Sequence, residues 1–547
     1  MKKKAEYRYL SEAQAKAEIN DCKYQFHEIA RGGGKSNGIH SRKIEKRAIE
    51  LPRSTGLFAA DTYKQFWTRI YPSLAKGLDS IGYKLDINFW VGQKPPAKLV
   101  KNLPYETPKD LSNFMFFYAG NGSATGMHIG SLERASSIDG LNTDWLLGDE
   151  CKTWNEQRFE QGAVPTLRGN EDHFGHSYLH KSICLTTSPA SAIDNHWFEK
   201  FEFQHTGALI DFIEASMYNI LDYRHKIADP KYNEDKKPGL QRKLAKLETQ
   251  VDEIRKKATY YQRASSFSNI HVLTPDYIDT QRRILNDSDF AALILALRQK
   301  RVKNGFYAHL SIARHTYKDQ GNISIVHTLN YDPAKLANDD CRFDTDINAN
   351  RPLELAVDFN VKISSLAIGQ QYEWGYRFVN HLYIEHPELI KGLAEKFNEY
   401  YKYHPNKELT YIWYLSENKR NLDNSLKDAE QFASYLTKLG WKVSQVKKGI
   451  PPNHWKRYNL MQKLLGSIDG QRIEFNYYNC YDILNAMLLT PTRHVGDKIE
   501  KDKKSERNNQ LPPQHTTNVT DPVDTLLSHH YLDNSYTSIS YIPPQTV

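Results

Sequence analysis

Residues 24–38, YQFHEIARGGGKSNG, set three glycines before a lysine and a serine. Consecutive glycines let backbone N–H groups turn toward an anion. A lysine behind them reaches the β- and γ-phosphates, and the next hydroxyl can hold Mg2+. A helix starting near Asn37 would aim its positive end at the same place. Arg31, Gly32, Gly33, Gly34, Lys35 and Ser36 are therefore candidates for holding ATP, with Ser36 also on the metal. The full phosphate-loop pattern has a glycine six residues before the lysine. Ile29 stands there, so a flexible basic loop is the competing reading.

Hydrolysing a bound triphosphate also needs one carboxylate for the metal and another to activate water. NTDWLLGDE supplies Asp149 and Glu150 at the end of a short apolar run, and a solvated acidic turn is the alternative. The run SICLTTSP (182–189) ends in Thr186, Thr187 and Ser188, whose hydroxyls could sense the γ-phosphate. A second set of carboxylates lies far along the chain. Asp358 closes the alternating run ELAVD, and NVTDPVDTLL places Asp521 and Asp524 one helical turn apart. Two-metal cleavage of a phosphodiester needs several carboxylates converging on ions roughly 4 Å apart. Asp521 before Pro522 is equally a good helix N-cap. Asp482, in NCYDIL, reads as a structural helix residue.

These groups need elements to position them. Residues 1–204 alternate short apolar runs with helical stretches, the pattern of an α/β domain. FMFFYA (114–119), the turn GNGS (120–123) and MHIGSL (127–132) form a strand, a turn and a returning strand. Residues 205–330 are helix-rich, with a charged centre, KKPGLQRKLAKLETQVDEIRKK (236–257). A solvated helical hairpin and a lid or DNA-facing subdomain both fit that segment. The polar stretch within 327–352 lacks periodicity, so 331–352 is expected to be a linker. Three strands follow (354–359, 364–370, 376–384), then a helix, a strand (409–415), a helix and a strand (441–447). A meander followed by alternating helices and strands is the order of an RNase H-like domain, spanning 353–547. Residues 498–518 read as a basic loop and 521–532 as a helix.

At 547 residues the chain is too long for one core. A net charge of +8 permits a polyanionic partner without demanding one. Five cysteines with no CxxC pair fit a reducing compartment and no zinc ribbon. The basic N-terminus has no apolar stretch behind it, and no apolar run approaches 18 residues, so neither a secretory signal nor a membrane span is expected.

The order of these parts resembles the large terminase subunit of tailed phages, over nearly the whole chain. GGGKS comes first, then a strand ending DE, a strand ending TTSP, a linker, and a second domain whose first strand ends in Asp358. LPRSTGLFAADTYKQF (51–66) and FEQGAVPTLRGN (159–170) carry the same likeness. The resemblance implies an N-terminal P-loop ATPase domain of the ASCE type with a helical subdomain, and a C-terminal RNase H-like nuclease domain. It implies Lys35 and Ser36 as Walker A residues, Asp149 on the metal, Glu150 as the catalytic carboxylate, and Thr186 and Thr187 in the coupling motif. In the nuclease it implies Asp358, Asp521 and Asp524 as metal-binding carboxylates, with Asp358 and Asp521 catalytic. Relatives carry a second carboxylate after a run like YIW; here Tyr414 stands there, and Glu417, counted among the metal-binding candidates, or Asp423 just beyond could swing into the site. Tyrosine, with a pKa near 10, is a poor substitute for an anionic ligand. The family often has an arginine–glycine pair before the Walker B strand that acts on a neighbour's ATP. Here that place reads IDG (138–140), and Arg134 is the nearest candidate.

By the same resemblance the cofactors are ATP with Mg2+, and Mg2+ or Mn2+ for the nuclease. The partners are double-stranded DNA, a portal protein, a small terminase subunit and further copies in a ring, commonly a pentamer, on the procapsid in the host cytoplasm. Two other readings stay open. One is a P-loop DNA translocase or helicase with an inactive RNase H-like domain. The other is a DNA-binding scaffold without enzymatic activity.

Overall fold

The computed structural model describes residues 9–284, 290–298, 302, 305–360, 362–385, 390–415, 427–466, 470–496, 498–507 and 513–532. Two large sheets organise them. The first contains β1 (Tyr24–Ile29), β2 (Thr55–Ala60), β3 (Phe89–Val91), β4 (Phe114–Tyr118), β5 (Ala124–Ser131), β6 (Trp145–Gly148), β7 (Ser182–Thr187) and β8 (Thr259–Ala264). Their spatial order is β3-β4-β5-β2-β6-β7-β1-β8. Strands β5 through β8 in that order run parallel, and β3–β4–β5 form an antiparallel edge. Central strands covered on both faces carry no exposed residue, and β2 (TGLFAA) and β7 (SICLTT) are buried throughout. One strand, β7, separates β1 from β6, which is the ASCE arrangement. All the parallel strands therefore end on one rim, with the loops after β1, β6 and β7 side by side.

The second sheet contains β9 (Thr316–Tyr317), β10 (Leu353–Phe359), β11 (Ile363–Tyr372), β12 (Gly375–Glu385), β13 (Glu408–Tyr414), β14 (Lys442–Lys448) and β15 (Arg472–Asn476). Its order is β14-β13-β10-β11-β12-β15-β9. The meander β10–β11–β12 is antiparallel, and β13 and β14 add in parallel beside β10. This is the RNase H-like order, extended at its other edge by β15 and β9. Each face has its own core. Leu353, Leu355 and Val357 point to one. Ala356 points to the other, with Leu526 and Leu527 of the closing helix Asp521–Tyr531. A small hairpin, β16 (Thr492–Val495) and β17 (Lys498–Lys501), stands apart from both sheets.

Three expectations about organisation change. The helices Gly207–Ala228 and Lys237–Arg255 form the expected hairpin, but the chain then returns as β8 beside β1, so the boundary at 204 cuts through the first sheet. The run TYYQRA is short but aromatic, and Tyr260 and Tyr261 bury against that sheet. Strand β9 belongs to the second sheet although it precedes the expected boundary at 330. The stretch expected as linker is largely anchored to the first domain. Tyr331, Leu336 and Phe343 lie in the core beneath its sheet. Among the described residues no helix is long and apolar enough to cross a membrane. All five cysteines are free and buried.

Candidate active site

The glycine loop leaves β1 at the shared rim. Gly32 and Gly34 have φ of +77° and +78°, which an L side chain would adopt only under strain. Gly33 is constrained differently, because a Cβ there would come 2.2 Å from Ile29 Cγ2. The residue that breaks the phosphate-loop pattern is thus the one that fills the space beside the central glycine. Two side chains from elsewhere hold the loop. Gln14 donates from Nε2 to the Gly34 carbonyl at 3.0 Å, and Asn269 donates from Nδ2 to the Gly32 carbonyl at 2.8 Å.

The helix after the loop begins at Lys35, two residues earlier than expected. It starts as a π-helical turn, Lys35–His40, and continues as Ser41–Glu50. Its first N–H groups and positive end face the loop. Lys35 Nζ donates to the Ile29 carbonyl at 3.1 Å and to Ser188 Oγ at 2.9 Å, and lies 4.0 Å from Glu150 Oε1. Ser36 Oγ donates to Asp149 Oδ2. The three glycines, Lys35, Ser36 and Glu150 line one cleft of about 630 Å3.

A hydrogen-bond chain ties the acidic pair to the neighbouring strands. Asp149, buried, accepts at Oδ1 from Thr186 Oγ1 at 2.6 Å and from the Glu150 N–H at 2.8 Å. Thr186 Oγ1 is 2.8 Å from His40 Nε2. Burial, with Arg47 and Lys43 nearby, pushes the His40 pKa down to about 3. Its imidazole is therefore neutral at pH 7. Thr187 Oγ1 accepts from the Lys152 N–H at 3.0 Å, linking β7 to the turn after Glu150. Glu150 itself has φ +54°, a left-handed conformation uncommon for a residue with a side chain and typical of functional turns. Ser36 hydroxyl and Asp149 carboxylate are hard oxygen donors that already meet, a set that fits Mg2+ beside a phosphate.

The carboxylates of the second domain are arranged differently. Asp358 shares the face of β10 with Ala356 and Glu354, and Glu354 pairs with His530 of the closing helix at 2.6 Å. Asn360 donates to Asp358, and also to Asn518 Oδ1 at 3.1 Å, just before Asp521. The donor set does not fit divalent metal as it stands, because each oxygen of Asp521 and Asp524 already has a partner. Asp521 Oδ1 accepts from Lys501 and Oδ2 from Lys503, both at 2.7 Å. Asp524 Oδ1 accepts from Tyr307 at 2.7 Å, and Oδ2 pairs with Lys501 at 2.6 Å. Lys501 has no exposed side-chain surface. Burial raises the Asp521 pKa, but Lys501 and Lys503 outweigh it and hold the carboxyl below its ordinary range. Among the described residues these aspartates do not form a three-carboxylate cluster of metal-binding dimensions. Tyr414 is buried at the end of β13. Glu417 and Asp423 lie outside the described residues.

Other expected residues lie apart from the cleft. Arg31 is exposed, and its backbone is held by the Leu293 carbonyl and Ser266 Oγ. Arg134 is exposed three residues past β5, outside the cleft lining. Asp482 opens the helix Tyr481–Leu489 and lies 3.3 Å from His515 Nε2, in keeping with a structural role. Gln14 and Asn269 were not singled out from sequence. Gln14 closes a capping box with Ser11, and nothing local announces its contact with Gly34.

No protein-family model matches the sequence, and no curated protein matches it. Among solved structures the chain is similar to the large terminase of the thermophilic bacteriophage D6E, at 11% identity and TM-score 0.37, covering 95% of this chain and 99% of that one. That terminase has also been solved with ADP and with ATP-γ-S. The large terminase ATPase domain of Thermus phage P74-26 is similar at 13% identity and TM-score 0.29, covering 54% of this chain and 93% of that one. The Phi-28 gp11 DNA packaging motor is similar at 9% identity and TM-score 0.24, covering 78% and 90%.

Proposed function

We propose that the first domain binds and hydrolyses ATP, and that the chain is the large terminase subunit of a phage, driving double-stranded DNA into a capsid. One observation carries the ATPase reading: Lys35, Ser36 and Glu150 line one cleft with the glycine loop, and Asp149 accepts from Ser36 beneath it. In this reading Lys35 holds the γ-phosphate and stabilises the charge that develops on it. Glu150 orients the attacking water. Ser36 and Asp149 would hold Mg2+, which supplies charge neutralisation at the phosphates. Thr186 and Thr187 connect the acidic pair to β7 and so couple the state of the cleft to the rest of the sheet. DNA contacts would be made to phosphates by Lys and Arg with little sequence preference. Portal protein, a small subunit and a ring of copies, with Arg134 reaching a neighbour's ATP, belong to the same proposal.

The test is ATPase turnover of the full chain with and without linear double-stranded DNA. DNA-stimulated turnover that is lost in Lys35→Ala supports the motor. Turnover retained by Lys35→Ala refutes it. Absence of any DNA stimulation supports the non-enzymatic scaffold instead.

We propose that the second domain is the motor's nuclease, on the strength of Asp358 sharing a face with the helix that bears Asp521 and Asp524. A translocase whose second domain does not cut is the second reading, favoured by the lysines on those aspartates. Supercoiled plasmid with Mn2+ separates the two. Nicking that Asp358→Ala abolishes favours the nuclease, and intact plasmid favours the translocase.

A further inference from the structure

The turn that follows Glu150 is held from the second domain. It is a 3-10 turn, Cys151–Thr153, whose Lys152 and Thr153 meet the segment following β15. Thr153 Oγ1 donates to the Glu150 carbonyl at 3.0 Å and lies 3.4 Å from Tyr478 Oη. Tyr478 in turn donates to Asp61, which follows β2 and is buried. Lys318 donates to the Thr153 carbonyl at 2.6 Å and pairs with Asp61 at 2.7 Å. The other anchor is Lys152. Its Nζ lies 3.1 Å from Asp194 Oδ2 and donates to Tyr481 Oη at 3.3 Å. Tyr481 donates to Asp194 Oδ2 at 2.9 Å, and Tyr477 donates to Asp194 Oδ1 at 3.0 Å.

These contacts have a mechanical consequence. Glu150 occupies the left-handed region, which a residue with a side chain leaves unless its surroundings over-determine it. The backbone before it is fixed by Asp149 accepting its N–H. The backbone after it is fixed by Thr153, which donates to the Glu150 carbonyl and whose own carbonyl accepts from Lys318, and by Lys152, which donates to the Tyr481 hydroxyl. Tyr478 acts on the same turn through Asp61, the carboxylate it shares with Lys318. Tyr478 and Tyr481 touch neither the cleft nor its glycines, so their effect on the cleft passes through the turn.

We infer that Tyr478 and Tyr481 are positioning residues for Glu150: the second domain sets the geometry of the water-activating carboxylate, and with it the rate of ATP hydrolysis. This rests on the ATPase reading above. A shift of the Tyr477–Tyr481 segment moves the turn, and a carboxylate displaced by a fraction of an ångström loses much of its effect on a bound water.

Tyrosine-to-phenylalanine changes test this, because they keep the ring's volume and remove only the hydroxyl. In the full chain, Tyr478→Phe/Tyr481→Phe is expected to lower kcat about tenfold while KM for ATP and the affinity for a fluorescent ADP analogue stay within about twofold. Thermal midpoint, compared in the same preparations, should be near that of the unsubstituted chain. Unchanged kcat in the double variant, with Glu150→Gln inactive, overturns the inference and leaves the ATPase reading standing. Equal turnover in Glu150→Gln and wild type overturns the assignment of Glu150 as the water-activating carboxylate, and the inference with it. A fall in kcat that tracks a loss of nucleotide affinity or of folded protein also overturns the positioning role.

Discussion

Lys35 Nζ stands 4.0 Å from Glu150 Oε1, although 115 positions separate them along the chain. A cation and a carboxylate at that distance, both partly exposed to one cleft, leave room for an anion to enter and take the cation. The pair is therefore poised to exchange partners when a triphosphate binds. Glu150→Gln keeps the shape of the side chain and removes its charge. It is expected to retain nucleotide binding and lose hydrolysis by about 10²–10⁴-fold, the usual contribution of a positioned general base. Phosphate release measured beside binding of a fluorescent ADP analogue checks both halves.

Ile29 and Gly33 share one space. A Cβ on Gly33 would lie 2.2 Å from Ile29 Cγ2 and 3.2 Å from the Ala30 carbonyl. Gly33→Ala should therefore deform the loop and weaken nucleotide binding at least about tenfold, since phosphate-loop N–H groups lose their aim. Ile29→Gly removes the clashing methyl, so the double substitution should recover part of the loss. A double-mutant cycle on nucleotide affinity measures that coupling, and strict additivity would contradict the shared-space argument.

Much of this site was legible because phosphate chemistry uses dense local signals. GGGKS lies within five positions, and DE and TTS each close a strand at the same rim. The meander and the two following parallel strands were also legible, from alternation along ELAVDF and YRFVNHLYI. What stayed hidden depends on partners remote in sequence. Asp61 and Tyr478 meet across 417 positions. Strand β9 is two residues long, too short to carry a period. The stretch 498–518 reads as a polar, basic loop because its charges carry no helical or strand period. In the fold, Lys501 and Lys503 turn instead onto Asp521, near the far end of the chain.

Those two lysines stand where divalent cations would have to bind. For metal to reach Asp521 and Asp524, it must displace ammonium groups from oxygens 2.6–2.7 Å away. Removing the more accessible ammonium, in Lys503→Gln, is expected to raise Mn2+ affinity at an Asp358-dependent site about tenfold, which corresponds to roughly 1.4 kcal/mol. Free Mn2+ followed by its paramagnetic resonance signal, in the absence of nucleotide, reads this directly. Identical isotherms for wild type, Lys503→Gln and Asp358→Asn would show that no metal competes for the site.

Stability should fall between pH 7 and pH 5. Burial depresses the pKa of His128 to about 4. Burial, aided by Lys396 and opposed by Asp482, takes His381 to about 4, and His40 lies near 3. In the unfolded chain each titrates near 6.5, so the unfolded state takes up protons first as the pH falls. The stability these neutral imidazoles carry is complete above pH 6.5 and is lost progressively down to about pH 4. At pH 5 each accounts for about 2 kcal/mol. Asp344 acts in the opposite direction. Burial raises its pKa to about 7 against the pull of Lys64, so the folded state takes its proton while the unfolded state does not. Burial also raises the pKa of Glu50, Asp61, Asp252, Asp346 and Glu385, and lowers that of His27, His315, His404 and His454. Seven depressed histidines therefore face six raised carboxyls. In the unfolded chain it is chiefly the histidines that take up protons between pH 7 and pH 5, which leaves a net loss. The urea midpoint is expected to drop from pH 7 to pH 5, and His128→Gln to flatten that slope. A midpoint that rises over the same interval would mean that the raised carboxyls outweigh the buried histidines.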